Sequence, residues 1–388
     1  MTALYIHIPF CKKKCNYCDF VSYAGKEELI DDYVKKLCEE LQSSPPSVPL
    51  SIEDGEGETR RRREGVRCIF IGGGTPTLLD PNHYEKLFTN YDLRITNYEI
   101  TIEANPGTAN KAKLKRLRQL GANRLSIGAQ SFNNLHLKTL GRIHNSKEIF
   151  RIYNDARAVG FENINLDLIF ALPGQTLEEW KSDLKTAISL EPNHISAYNL
   201  IIEEGTNFFD VISKSQAPKS KQYQNPNFQL PNEDQELAMY EYTIDALTAN
   251  GYRHYEISNF AKPGYECQHN INYWKNGNYI GIGAGAHSHI NGKRWSNPAS
   301  VEEYIGCGGA TRNVTRQTLD DSSRATDQRE TIFLGLRLLE GLSTDKFKGF
   351  EKEVDELIKD GLLTQENGNY KLSRQGLYLG NEVFAKFV

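Results

Sequence analysis

Cys11-Lys12-Lys13-Lys14-Cys15-Asn16-Tyr17-Cys18 sets three thiols within eight residues, with three residues in the first gap and two in the second. They follow Leu4-Tyr5-Ile6-His7-Ile8, an apolar run that reads as a β-strand, and Pro9 ends it, so the thiols fall in the loop behind the strand. Three thiolates on one short loop can converge on one metal centre. A structural zinc ion, which wants four ligands in two separated pairs, is poorly served by them. A four-iron, four-sulfur cluster is usually held by four thiolates. Three leave one iron without a protein ligand, and an open position is what chemistry at a metal needs. The alternative uses are a disulfide with a spare thiol, or small buried hydrophobes.

The elements that must position these groups follow from periodicity. After the cysteine loop, Lys26 to Gln42 reads as an amphipathic helix. Strands are expected at Cys68–Ile71, Tyr98–Glu103, Arg124–Gly128, Asn163–Phe170 and His194–Leu200, and helices at Pro81–Thr89, Asn110–Leu120, Ser146–Val159 and Thr176–Leu190. Thr176, with Glu179 three residues on, is a capping box. Strand and helix alternate six times over about two hundred residues, which implies parallel β/α units, short of the eight that close a barrel. The fold class is therefore α/β, a partial, open (β/α)6 barrel. The run Gly72-Gly73-Gly74-Thr75-Pro76-Thr77 follows strand two, where glycines let backbone N–H groups approach a ligand. Glu103 ends strand three, Gln130 follows strand four and Asp167 lies on strand five. At the carboxyl ends of parallel strands, such residues reach one mouth.

Cys-x3-Cys-x2-Cys after an N-terminal strand, with Tyr17 before the last cysteine, resembles the radical S-adenosylmethionine (SAM) superfamily, and Tyr5-Ile6-His7-Ile8-Pro9-Phe10-Cys11 resembles its coproporphyrinogen III dehydrogenase-like branch. That branch also holds the HemW-type haem chaperones. The resemblance implies a [4Fe–4S] cluster on Cys11, Cys15 and Cys18 whose open iron chelates SAM for reductive cleavage to a 5′-deoxyadenosyl radical. It implies that Tyr5, Gly73 and Glu103 contact the cluster-bound SAM. Gly74, Thr75, Gln130, Arg142 and Asp167 match positions that contact a second SAM in the dehydrogenase branch. His269-Asn270-x-x-Tyr273-Trp274 resembles the motif that the chaperones associate with haem; imidazole is the commonest proximal haem ligand, and aromatic neighbours offer apolar faces to a macrocycle. Cys267 and His287 are rival iron ligands. Where the dehydrogenases carry a further cysteine, two residues after the third, this chain has Phe20, and it lacks their longer N-terminal arm. The resemblance therefore favours a haem chaperone without dehydrogenase activity, passing haem to acceptors that include membrane respiratory proteins. Oxygen-independent coproporphyrinogen III dehydrogenase is the alternative, and a nucleic-acid-modifying radical enzyme a third class. A flavodoxin-type electron donor meeting Lys12, Lys13 and Lys14, and a homodimer, complete the expected partners.

The remainder sets the domain plan. The barrel is expected over 1–205, with a solvated loop at 43–65 whose Arg60–Arg63 are balanced by Glu53, Asp54, Glu56 and Glu58. A polar, mobile connector is expected at 206–232. The region 233–320 extends the barrel; its helix Glu233–Asn250 should face Leu237, Tyr240, Ile244 and Leu247 inward. The region 321–388 reads as an α+β, winged-helix-like appendage: helices at Asp327–Leu339 and Glu351–Lys359, a hairpin across Asn367-Gly368, and a last helix from Ser373 to Phe387. Its charges are mixed, and the whole chain carries a net charge of −4, so nothing points to nucleic acid. No apolar run approaches the ~18–20 residues that span a bilayer. The N-terminus has neither a secretory signal nor a transit-peptide composition. Four scattered cysteines beyond the loop, Cys38, Cys68, Cys267 and Cys307, fit a reducing cytosol better than a disulfide framework.

Overall fold

Alternation along each strand decides how the molecule is layered. In a strand, successive side chains point to opposite faces, and here one set is aliphatic: Leu4, Ile6 and Ile8; Ile69 and Ile71; Ile100 and Ile102; Leu125 and Ile127; Leu166 and Leu168. The structure, a computed structural model, describes residues 2–43, 66–89, 98–216, 229–306, 317–319 and 324–388. Six parallel strands, β1 (Thr2–Ile8), β2 (Val66–Gly73), β3 (Glu99–Ala104), β4 (Arg124–Gln130), β5 (Asn163–Phe170) and β6 (His194–Asn199), pair in chain order. Their aliphatic face is covered by α1 (Ile30–Ser43), α2 (Pro81–Thr89), α3 (Lys111–Gln119), α4 (Ser146–Ala158) and α5 (Leu177–Ser189). These contribute Tyr33, Leu87, Leu117, Ile152 and Trp180 to one core.

The opposite face is polar. Arg124, Ser126, Asn165, His194 and Ser196 are all buried there, and they satisfy one another: Asn165 Nδ2 donates to Ser126 Oγ at 2.8 Å, and Asn165 Oδ1 is 2.7 Å from His194 Nδ1. A buried polar face is tolerable only when bonded in this way.

The sheet runs on past the six units. Asn278–Ile282 adds a parallel strand beside β1, followed by antiparallel His287–Ile290, Lys293–Ser296 and Gln317–Leu319; at the other edge, antiparallel Asn259–Ala261 and Arg253–Glu256 lie beyond β6. Among the described residues the two edges do not pair with each other, so the barrel is open.

Several expectations are corrected. Residues Asn207–Gln216, inside the expected connector, form a helix. Of the loop expected at 43–65, residues 44–65 lie outside the described residues, as do residues 217–228 and Cys307. In the helix Glu233–Ala249, Leu237 is exposed and the buried face is Met239, Thr243, Ile244 and Leu247. The reason is Trp180, whose indole N–H donates to Met239 O and Thr243 Oγ1 and so sets the helix's rotation. At the C-terminus, Ser373 caps only Arg374–Tyr378, and a second short helix, Gly380–Ala385, follows the non-helical Leu379. That appendage has its own core around Phe347, Val354, Leu357 and Phe387, and a three-stranded sheet whose hairpin turns at Asn367 and Gly368, both with positive φ. Among the described residues, no helix is long and apolar enough to cross a membrane.

Candidate functional site

The cysteine loop is anchored before any ligand is considered. Asn16 N–H donates to Leu140 O, Asn16 Nδ2 donates to Thr139 O at 2.9 Å, and Asn16 O accepts from Phe208 N–H. The glycine run then closes on the loop. Gly73 has φ +110°, where a Cβ would meet the His7 ring at 2.5 Å; a Cβ on Gly74 would lie 2.7 Å from Phe10 O and 3.0 Å from Cys11 Sγ. Only glycine lets the second loop pack this closely on the first. The N–H groups expected to face a ligand are used inside the protein: Gly74 donates to Ile8 O, Thr75 to Phe10 O and Gly73 to Glu103 Oε2.

These loops wall a cavity of about 450 Å³ at the carboxyl ends of the strands. Ten of the residues singled out from sequence line it: Cys11, Cys15 and Cys18; Gly73, Gly74 and Thr75; and Glu103, Gln130, Arg142 and Asp167. Gln130 reaches it from a register shift in β4 and holds φ +64°, an uncommon conformation for a side-chain-bearing residue. Burial, and then the neighbouring Asp167, push the Glu103 carboxyl up to about 8, against the pull of the Gly73 N–H. Burial likewise raises Asp167, although Ser126 and Asn165 donate to it at 2.9 and 2.7 Å.

The three thiols share one wall of the cavity. Among the described residues, no group of three His, Cys, Asp or Glu side chains could hold one metal ion. In a cluster each thiolate takes its own iron, which asks for thiols on one wall at wider spacing. Burial raises Cys11 and Cys18, and each is raised further by other thiols of the loop.

Tyr5 lies off the cavity wall, its hydroxyl 2.9 Å from His7 Nδ1. The other four candidates sit elsewhere, on the helix Gln268–Trp274. That helix packs under the opposite end of the sheet, capped by Glu99, whose carboxylate accepts from Gln268 N–H and the Cys267 thiol. His269 is buried, with its ring 5.1 Å from Phe70, 6.1 Å from Tyr5 and 4.7 Å from Tyr273 between centroids. Burial, then Arg124, lower its pKa to about 3, so the imidazole is neutral. Its Nδ1 is 3.7 Å from Cys68 Sγ, and among the described residues its Nε2 has no partner; neither has the Trp274 indole nitrogen. Asn270 and Tyr273 are half-buried, as is Trp274, which lines a cleft of about 640 Å³ against the C-terminal appendage. Of the rival ligands, Cys267 is fully buried and His287 exposed.

Sequence reasoning passed over Asn105, which accepts from Arg142 and donates to Thr75 Oγ1 at 2.8 Å, and Tyr198 and Ile201 on the cavity wall. Continuing β3's alternation from Glu103 by one more step marks Asn105 as inward-facing.

An open parallel α/β sheet that brings a three-thiol loop, a glycine run and buried carboxylates to one mouth defines the radical SAM class. The Radical SAM superfamily model matches residues 5–187, and the HemN C-terminal domain model matches residues 323–379. The chain is similar to Heme chaperone HemW of Lactococcus lactis, at 38% identity over 100% of this chain and 97% of that one. It is similar to Heme chaperone HemW of Bacillus subtilis at 37% identity, over 100% and 99%. The chain belongs to the HemW haem chaperone family of the radical SAM superfamily. Its fold is also that of the solved coproporphyrinogen III oxidase (HemN) of Escherichia coli, with a TM-score of 0.78 at 24% identity over 100% of this chain and 89% of that chain.

Proposed function

We propose that the protein is a haem chaperone that holds a [4Fe–4S] cluster on Cys11, Cys15 and Cys18, binds SAM in the adjoining cavity, and passes haem to acceptor proteins in a reducing cytosol. The observation that carries the reading is the meeting of ten chemically matched residues at one cavity. A reduced cluster with an open iron would supply an electron to SAM; the chain's own part is to hold and shield it. We assign Glu103 to accept from the methionine amino group, and Arg142 and Asp167 to offer a cation and a carboxylate to a second SAM. Haem, the cargo, is assigned to the helix Gln268–Trp274. The Nε2 of His269, neutral and without a partner among the described residues, is the form of imidazole that ligates iron, and Asn270, Tyr273 and Trp274 flank it. Iron reaches that nitrogen only when the helix leaves its seat on Tyr5 and Phe70. Exposed Lys12, Lys13 and Lys14 suit an acidic, flavodoxin-type donor.

One observation favours dehydrogenase activity: Phe20 and Ile201, 67% and 66% exposed, give the cavity an apolar lip that a porphyrinogen could lie on. Anaerobic reconstitution followed by haem titration and a coproporphyrinogen III assay on one sample separates the readings. We expect cluster absorption, a Soret band and no decarboxylation. Each single change, Cys11→Ala, Cys15→Ala or Cys18→Ala, should abolish the cluster absorption and its reduced-state EPR signal. Full clusters in all three variants, or turnover of coproporphyrinogen III, would refute the proposal.

A further inference from the structure

Each loop thiol has its own hydrogen-bonding neighbour, drawn from a different segment. Cys11 Sγ lies 3.4 Å from Thr75 Oγ1, Cys18 Sγ lies 3.8 Å from Ser22 Oγ, and Cys15 Sγ accepts from Arg142 Nη1 at 3.5 Å. Two of the three are neutral hydroxyls; the third is a permanent cation. Arg142 is held firmly. Its Nη2 donates to Gly128 O at 2.9 Å and to Asn105 Oδ1, and the Tyr17 hydroxyl stands beside it. A guanidinium is a planar, rigid fork, so fixing Nη2 on two acceptors also fixes where Nη1 points, and it points at sulfur. Asn105 serves two of the donors at once: Oδ1 accepts from Arg142, while Nδ2 donates to Thr75 Oγ1, leaving the Thr75 hydroxyl hydrogen for Cys11.

We infer that Arg142 is a positioning residue for the iron–sulfur cluster, which acts through Cys15 to raise the cluster's reduction potential. The inference rests on the reading that the three thiols hold the cluster. Reduction adds a negative charge to the cluster, and both an N–H donor on a ligating sulfur and a fixed cation beside it stabilise the reduced form more than the oxidised one. The lysines of the same loop are exposed and screened by solvent, whereas Arg142 lies in the cavity wall, where the dielectric is lower. The role is separate from a contact to a second SAM, because it operates when no SAM is bound.

The test is an EPR-monitored potentiometric titration of reconstituted wild type, Arg142→Gln and Arg142→Lys without SAM, with iron and sulfide content measured on each. Arg142→Gln should lower the reduced-to-oxidised ratio about tenfold at a given applied potential, a shift of about 59 mV to more negative values for a one-electron couple. Arg142→Lys, which keeps the charge and loses the fork, should shift by less. A wild-type potential in a fully loaded Arg142→Gln protein overturns the inference. If Arg142→Gln takes up no cluster, Arg142→Lys decides: a lowered potential supports the role and an unchanged one refutes it. Loss of the cluster in both variants also refutes it, since a donor that only tunes a cluster does not abolish its assembly. A wild type that takes up no cluster fails the underlying reading instead.

Discussion

Glu103 is where the cavity's electrostatics can be measured. With its carboxyl pushed up to about 8 in the ligand-free protein, roughly nine in ten molecules carry the proton at pH 7, against an ordinary glutamate value of about 4.3. A methionine amino group that donates to it favours the carboxylate, so its pKa falls on binding and the proton leaves. SAM binding should therefore release close to one proton at pH 7. Affinity should rise as pH climbs towards about 8 and flatten above it. Calorimetry in two buffers of different ionisation enthalpy reads the release directly, and Glu103→Gln should lower it by about one proton relative to wild type. An equal release in wild type and Glu103→Gln would show that Glu103 does not meet the amino group. The same shift has a stability consequence of fixed sign. The contribution of this group to folding is fully present below the ordinary glutamate value and is lost as pH rises through about 8, because only the unfolded chain releases the proton in that window. Ligand-free wild type should lose stability from pH 5 to 8 relative to Glu103→Gln, as urea midpoints would report.

At the scale of elements, the helix Gln268–Trp274 is both sealed and incompletely satisfied. Glu99 caps its start, and His269 sits under Tyr5 and Phe70 with one nitrogen unbonded among the described residues. If haem takes that nitrogen, the helix must leave its seat. Amide hydrogen exchange over residues 267–274 should then speed up when haem binds, while exchange in β1 to β6 stays slow. Unchanged protection there with a full Soret band would place the cargo elsewhere. His269→Ala should remove the iron–imidazole signature, and Trp274→Ala should weaken binding with less spectral change. This seat was not legible in the sequence. Asn163–Phe170 and Glu351–Lys359 could be read to the residue because alternation and amphipathic spacing are local properties. The cavity could be read because each of its groups follows a strand, and parallel units carry such groups to one end. That His269 turns into the barrel depends on Cys68, Phe70 and Tyr5, some two hundred residues or more away. The pairing of Thr2–Ile8 with Asn278–Ile282 is equally non-local. Asn207–Gln216 was missed because its polar surroundings mask a short apolar face, and Leu237 was misplaced because Trp180, on another helix, sets the rotation.

For the whole molecule, the question is what holds that helix against the C-terminal appendage. The appendage meets the barrel through a backbone bond from Leu339 N–H to Tyr255 O, the half-buried pair Arg294–Glu330 at 2.8 Å, Tyr378 edge-on to Tyr240, and the exposed pair Arg374–Asp245 at 3.0 Å, the last of which contributes little. Arg337 is different. Its guanidinium lies 4.6 Å from the centroid of the Trp274 ring and 5.4 Å from that of Phe384, so one side chain is stacked between the helix Gln268–Trp274 and the last helix of the appendage. Burial lowers its pKa, but an arginine starting near 12.5 stays charged at neutral pH. A partly desolvated cation on two aromatic faces contributes about 0.5–2 kcal/mol per face. Removing the cation should lower the cost of swinging the helix out by about that much. Arg337→Met keeps the length and the apolar contact while deleting the charge. It should speed haem uptake about fivefold in stopped-flow mixing, with iron and sulfide content unchanged, because the thiol-lined cavity lies at the other end of the strands. An unaltered uptake rate in a folded, cluster-loaded Arg337→Met protein would mean that the appendage does not gate the helix. The same rate in Trp274→Ala and the double variant would show that Arg337 acts through Trp274, since two changes that break one contact do not add.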